Sequence, residues 1–169
     1  MAKFRLTLRM LGTLAFLGAL LLMFYGSQHD SLEKGEQPQF PKAMRLLDGQ
    51  SLLASSLANK PMVVNFWATW CPPCRQELPS FSKVSKLYES SVVFLGVAVD
   101  SPLNELVRFQ RDFQLTYPIV IGSSDFIRAW KADTLPTTYF LNAKGQVVSA
   151  YTGALDEADL IRAIEAIKL

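Results

Sequence analysis

The sequence predicts an α/β domain with a mixed central sheet and helices on both of its faces, carried behind a single apolar N-terminal anchor. Two continuous apolar runs, Val63 to Trp67 and Val92 to Val99, have the composition of strands covered on both sides. Helical spacing of apolar residues alternates with such runs through the middle of the chain, and the order closes with a hairpin and an amphipathic helix. The anchor is read from an uncharged stretch, Met10 to Ser27, that directly follows Lys3, Arg5 and Arg9.

At about 1.5 Å per residue, a helix over 10–27 is roughly 27 Å long, enough to cross the approximately 30 Å hydrocarbon core. The basic flank keeps the N-terminus in the cytoplasm, so the rest of the chain lies on the far side, the periplasm in a bacterium. A cleaved signal peptide shares the basic flank and apolar run. The bulky Met23, Phe24 and Tyr25, where a cleavage site calls for small residues, favour an uncleaved anchor. Residues 28–39 turn polar, with Asp30, Glu33, Lys34, Glu36 and Pro38, and read as a linker that contains the single histidine, His29. Residues 40–169 are then one domain with its own core. A net charge of +2 in 169 residues, part of it in the anchor's flank, gives no basic surface for nucleic acid.

Within the domain, Ala43 to Leu47, the turn Asp48-Gly49 and Ser51 to Leu53 predict a hairpin extension, followed by a helical turn near Ser55 to Ala58. The strand Val63 to Trp67 leads into a helix from about Pro73 to Glu89, with Pro79 inside it. The strand from Val92 ends at Asp100. A helix from Pro102 to Phe113 follows, with Ser101 as its expected N-cap. Tyr117 to Ile121 is a short strand that Pro118 assigns to an edge. A short helix near Ser124 to Lys131 precedes the hairpin of Thr137 to Leu141 and Gln146 to Tyr151. The last helix, Asp156 to Ile167, turns Leu160, Ile161, Ile164 and Ile167 to one side.

The only cysteines are Cys71 and Cys74, in Trp70-Cys71-Pro72-Pro73-Cys74, where strand gives way to helix. Cys71 then caps the helix, and Cys74 lies one turn inside on the same face. The helix's free N–H groups and positive dipole end favour a thiolate at Cys71, the form that attacks disulfides, and make Cys74 the resolving thiol. A zinc site would need two further ligands where the chain has no third cysteine and one distant histidine. A structural disulfide in so small a ring would remove little unfolded-state entropy. No cofactor beyond the cysteine pair and no metal is expected. Met44 and Met62 read as buried hydrophobes, and Arg75 and Glu77 as solvated helix residues.

In this order of elements, Asn65-Phe66-Trp67-Ala68-Thr69-Trp70-Cys71-Pro72-Pro73-Cys74-Arg75, with Glu77, Pro79 and the later Leu135-Pro136-Thr137-Thr138, resembles the thioredoxin superfamily, and within it the membrane-anchored TlpA/ResA/DsbE-like thiol:disulfide oxidoreductases. The resemblance spans residues 40–169 and implies a thioredoxin-like fold. It implies that Pro136 is a cis-proline facing the cysteines, and that Leu135 and Pro136, with Trp70, Pro72 and Pro73, border the substrate's chain. Ordinary thioredoxins carry a buried aspartate where this chain has Asn65, and an amide cannot take a proton from the resolving thiol. Asp100, at the end of a central strand, is the expected acid/base in its place.

The function so implied is reduction of disulfides in extracytoplasmic proteins by the Cys71–Cys74 dithiol. Apocytochrome c is among the implied clients, and a membrane thiol transporter of the DsbD or CcdA type is the implied electron donor. Leu135-Pro136-Thr137-Thr138 departs from the Ala-Pro-Glu-Thr pattern of the DsbE-like branch, which weakens a dedicated cytochrome role. An oxidant that donates its disulfide, and a metallochaperone that carries copper on the two thiolates, are the alternatives.

Overall fold

The computed structural model describes residues 31–168. The expected cytoplasmic flank and anchor, residues 1–27, lie outside the described residues. Among those described, no helix is long and apolar enough to cross a membrane.

Five strands form the main sheet: β3 (Met62–Trp67), β4 (Val93–Ala98), β5 (Ile119–Ile121), β6 (Thr137–Leu141) and β7 (Val147–Thr152). Their spatial order is β5-β4-β3-β6-β7. The first three run parallel, and β6 and β7 are antiparallel additions on the other side of β3. All six residues of the central β3 are buried, which accounts for its apolar run. Pro118 immediately precedes β5, the edge strand, where a missing N–H does no harm.

Two crossovers step the same way across the sheet, through α1 (Pro72–Leu87) between β3 and β4 and α2 (Leu103–Asp112) between β4 and β5. Right-handed crossovers that step in one direction leave their helices on one face. Leu78, Phe81 and Val84 of α1 and Leu106 and Phe109 of α2 accordingly share a core with Val63 and Trp67. That core also holds Leu160 and Ile164 of α4 (Glu157–Ile167). The other face packs Val64 and Phe66 against α3 (Ser124–Ala129) and the extension formed by β1 (Ala43–Arg45), β2 (Ser51–Leu53) and a 3-10 turn over Ala54–Leu57. Phe66, Phe126, Trp130 and Tyr139 stack there at tilted and edge-on angles. Met44 and Met62 are buried in this second core, as expected of hydrophobes.

Two expectations change. The stretch assigned to a linker is folded from residue 31 onward. Leu32 is buried, its amide donates to the Tyr139 hydroxyl, and the Gly35 amide and Glu36 carbonyl pair with Val147 on β7. The polar composition of this segment reflects an edge pairing made by backbone, with one apolar anchor. The second change concerns Ser101, which does not cap α2, whose N-cap is Pro102. The Ser101 hydroxyl instead donates to the Val99 carbonyl and accepts the amide of Thr69.

Candidate active site

The turn after β3 is tied down before the cysteines begin. The Thr69 hydroxyl donates to Glu105 of α2 at 2.6 Å, and its amide donates to Ser101 at 3.0 Å. The Trp70 indole N–H donates to the Asp100 carbonyl at 2.8 Å. The loops at the C-terminal ends of two neighbouring parallel strands are therefore held to each other, at the edge where α/β sheets place their sites.

Cys71 is extended and caps α1, its sulfur accepting the Cys74 amide at 3.3 Å. Pro72 and Pro73 fill the first helical positions, where a missing N–H is not needed by the helix. Cys71 and Cys74 are joined as a disulfide with Cα atoms 5.3 Å apart. Cys71 lines an open groove of about 590 Å³, bounded by Trp70, Pro72, Pro73, Val99, Ile127 and Leu135. Cys74 lies beneath the surface and does not line it. Of the two cysteines, both buried, only Cys71 borders the groove. Trp70 is 58% exposed and forms one apolar wall. The Leu135–Pro136 peptide is cis, as the resemblance implied, and Pro136 is buried at the start of β6. Ile127, Val99 and Asp133 also line the groove and carry no motif that singles them out in the sequence.

Two acidic residues flank the site in contrasting settings, Glu77 buried on the helix that carries the cysteines and Asp100 exposed at the end of β4. Asp100 is exposed, takes a left-handed φ of 39°, and gives the site its carbonyl, which holds Trp70. Glu77, expected to be solvated, is 1% exposed. It follows Cys74 by three residues and so lies on the same face of α1. Its Oε1 accepts the Asn65 side-chain amide at 2.9 Å, and its Oε2 accepts the Leu155 backbone amide at 3.1 Å. Burial pushes the Glu77 pKa up to about 7, against the pull of these two donors. The spacing Cys74, Glu77/Leu78, Phe81, Val84 was the signal available in the sequence, because Glu77 stands within the apolar stripe of α1.

The model of the Redoxin family matches residues 34–164. The chain belongs to the Redoxin family. Within this family it is a TlpA/ResA/DsbE-like thiol:disulfide oxidoreductase with a thioredoxin-like fold. It is 35% identical over 124 residues to the thiol-disulfide oxidoreductase ResA of Geobacillus kaustophilus, covering 72% of this chain and 71% of that one. It is 30% identical over 162 residues to the sporulation thiol-disulfide oxidoreductase A of Bacillus subtilis, covering 92% and 96%. Among solved structures, a thiol:disulfide interchange protein of the thioredoxin family from Chlorobium tepidum TLS superimposes with a TM-score of 0.73 at 28% identity, over 83% of this chain and all of that one.

Proposed function

We propose that this oxidoreductase works as a reductant outside the cytoplasm, held to the inner membrane by residues 10–27 and recharged by a membrane thiol transporter of the DsbD or CcdA type. The observation that carries the chemistry is the placement of a buried carboxyl, with a pKa near neutrality, one helical turn beyond the resolving cysteine. The Cys71 thiolate attacks one sulfur of a substrate disulfide, forming a mixed disulfide and expelling the other substrate sulfur as a thiolate. The Cys74 thiol gives its proton to the Glu77 carboxylate and attacks the Cys71 sulfur. The mixed disulfide breaks, the second substrate thiolate leaves, and the Cys71–Cys74 disulfide remains. Two electrons have passed to the substrate, and Glu77 holds one proton to release.

Three features support a protein client. The groove is apolar on several sides, it is open, and its margin includes the backbone just before β6, where an extended chain can lie with little side-chain selection. Apocytochromes c and other extracytoplasmic proteins that need free thiols are the proposed clients. In an oxidising compartment such a reductant depends on an external supply of electrons, which the transporter provides.

The test is to replace Cys74 with alanine in cells and identify what becomes disulfide-linked to Cys71. Exported proteins with paired cysteines should be captured in complexes that dissolve under reductant. Capture of cytoplasmic proteins alone would reject the compartment. A reduction potential in the range of strong oxidants would reject the direction of electron flow.

A further inference from the structure

Every hydrogen bond to the Glu77 carboxyl comes from a donor, the Asn65 side chain on one oxygen and the Leu155 amide on the other. Donors serve the carboxylate. Once Glu77 is protonated, one of its oxygens becomes a donor and requires an acceptor. Such an acceptor exists in the same amide. Asn65 Nδ2 directs its two hydrogens to Glu77 Oε1 and to Thr138 Oγ1 at 3.0 Å, while Asn65 Oδ1 is buried with no hydrogen-bond partner among the described residues.

The two ends of an amide are nearly equal in size, so a half-turn about its last side-chain bond exchanges Oδ1 and Nδ2 without repacking. After the turn, Oδ1 faces both Glu77 and Thr138. The Thr138 hydroxyl can accept or donate, so it suits either end. One amide atom occupies the unpartnered position in both orientations, Oδ1 beside the carboxylate and Nδ2, with its two hydrogens, beside the carboxylic acid.

We propose that Asn65 is the positioning residue for the Glu77 proton: its amide presents Nδ2 to the carboxylate and turns over to present Oδ1 to the carboxylic acid. This inference rests on the reading of Glu77 as the proton acceptor for Cys74. An aspartate at position 65 would offer no donor to the carboxylate, and an aliphatic residue would serve neither state. Other groups around Glu77 leave this role open. Tyr117, whose buried hydroxyl has no partner among the described residues, interacts electrostatically with Glu77, but burial raises its pKa well above the ordinary value, so it stays neutral. The Cys74 sulfur lies one turn back on α1. Beside Leu155, Asp156 caps α4 through the Asp159 amide, and Glu157 pairs with Lys83 at the surface.

The test follows the Glu77 carboxyl carbon and the Asn65 side-chain amide by NMR in the full oxidised chain in detergent micelles, from pH 5 to 9. Both signals should move with one midpoint. Cross-relaxation between the Asn65 amide hydrogens and Thr138 should be strong above that midpoint and weak below it. In Glu77→Gln, neither the Asn65 signals nor the exchange rate should titrate there. Asn65→Leu should raise the midpoint of the rate profile by about one pH unit, because a donor to the carboxylate is gone. Constant cross-relaxation in the wild type, or an unmoved midpoint in Asn65→Leu, would overturn the role of Asn65. A rate profile that survives in Glu77→Gln would overturn the Glu77 reading itself. If Asn65→Leu does not fold, the wild-type measurement decides the question alone.

Discussion

Asn65 on β3 and Glu77 on α1 meet at 2.9 Å, with both side chains buried. The contact joins the helix that carries the cysteines to the strand that leads into them. Through the second Asn65 hydrogen it reaches Thr138, two residues beyond Pro136. The Asn65 amide cannot accept a thiol proton, and a buried carboxyl stands one hydrogen bond away on the helix that carries the cysteines.

Stability should report the buried acid directly. Glu77 holds its proton up to about pH 7 in the folded protein, against an ordinary value of 4.5. Between those values the folded state binds a proton that the unfolded state has released, so stability falls as pH rises through this window and levels off above it. The full difference corresponds to roughly 3 kcal/mol. Glu77→Gln lacks this slope. Urea unfolding of the oxidised protein and variant at pH 4.5 and 8 should show the variant gaining about 3 kcal/mol relative to wild type across the interval. Parallel curves would mean that Glu77 titrates at the same pH in the folded and unfolded states.

Kinetics should separate the two acids. Glu77→Gln should slow disulfide exchange at neutral pH by about a hundredfold, the lower range for loss of a positioned general base. Asp100→Gly retains the carbonyl that holds Trp70 and suits the positive φ, so its rate should stay within about twofold of wild type. Stopped-flow reduction of a protein disulfide, read from pH 5 to 9, compares the variants. A large loss in Asp100→Gly with an intact Glu77→Gln would assign the acid/base role to Asp100.

Ile127 reaches the groove from α3, outside either sequence motif. Ile127→Ser removes apolar wall while leaving the cysteines and Glu77 in place. With a protein disulfide as substrate, KM should rise several-fold with little change in kcat, and a small disulfide such as oxidised dithiothreitol should react as with wild type. An equal fall for both substrates would show that Ile127 supports the cysteines rather than the client.

Much of this architecture is legible in the sequence because its determinants are local. The β3 and β4 runs, the proline before β5 and the Cys71 cap each follow from a residue type at a position. Glu77 was hidden for a physical reason. A charged residue three beyond Cys74 looks solvated, and its burial is set by Asn65 and Leu155, which lie 12 and 78 residues away. Asp100 looked suitable by its place at the end of a strand, yet a left-handed turn brings its carbonyl to Trp70. Ile127 entered the groove through tertiary packing that no spacing rule records.

Gly96 shows how tightly the core beside the site is filled. A methyl group there would lie 3.1 Å from the Trp67 indole nitrogen and 3.2 Å from the Tyr117 ring, both buried. Neither ring can withdraw into solvent, so Gly96→Ala should cost about 1–3 kcal/mol by overpacking, measured by urea unfolding. A neutral result would show that Trp67 and Tyr117 have room to shift.

Leu32 tests where the folded unit begins. Its side chain is 7% exposed in the second core, and the amide donates to the Tyr139 hydroxyl, which in turn donates to the Trp130 carbonyl at 2.6 Å. The following residues continue along β7, with the Val147 amide donating to the Glu36 carbonyl at 2.9 Å. A flexible linker would contribute nothing to unfolding. A docked segment makes Leu32→Ala cost about 2–3 kcal/mol, the lower range for emptying a buried leucine site near a surface. Hydrogen exchange supplies the companion measurement: the Val147 amide should be protected in the wild type and exchange faster in Leu32→Ala, while the Val64 amide within β3 keeps its protection. An unprotected Val147 amide in the wild type, together with an unchanged unfolding midpoint in the variant, would return residues 31–39 to the role of a free tether.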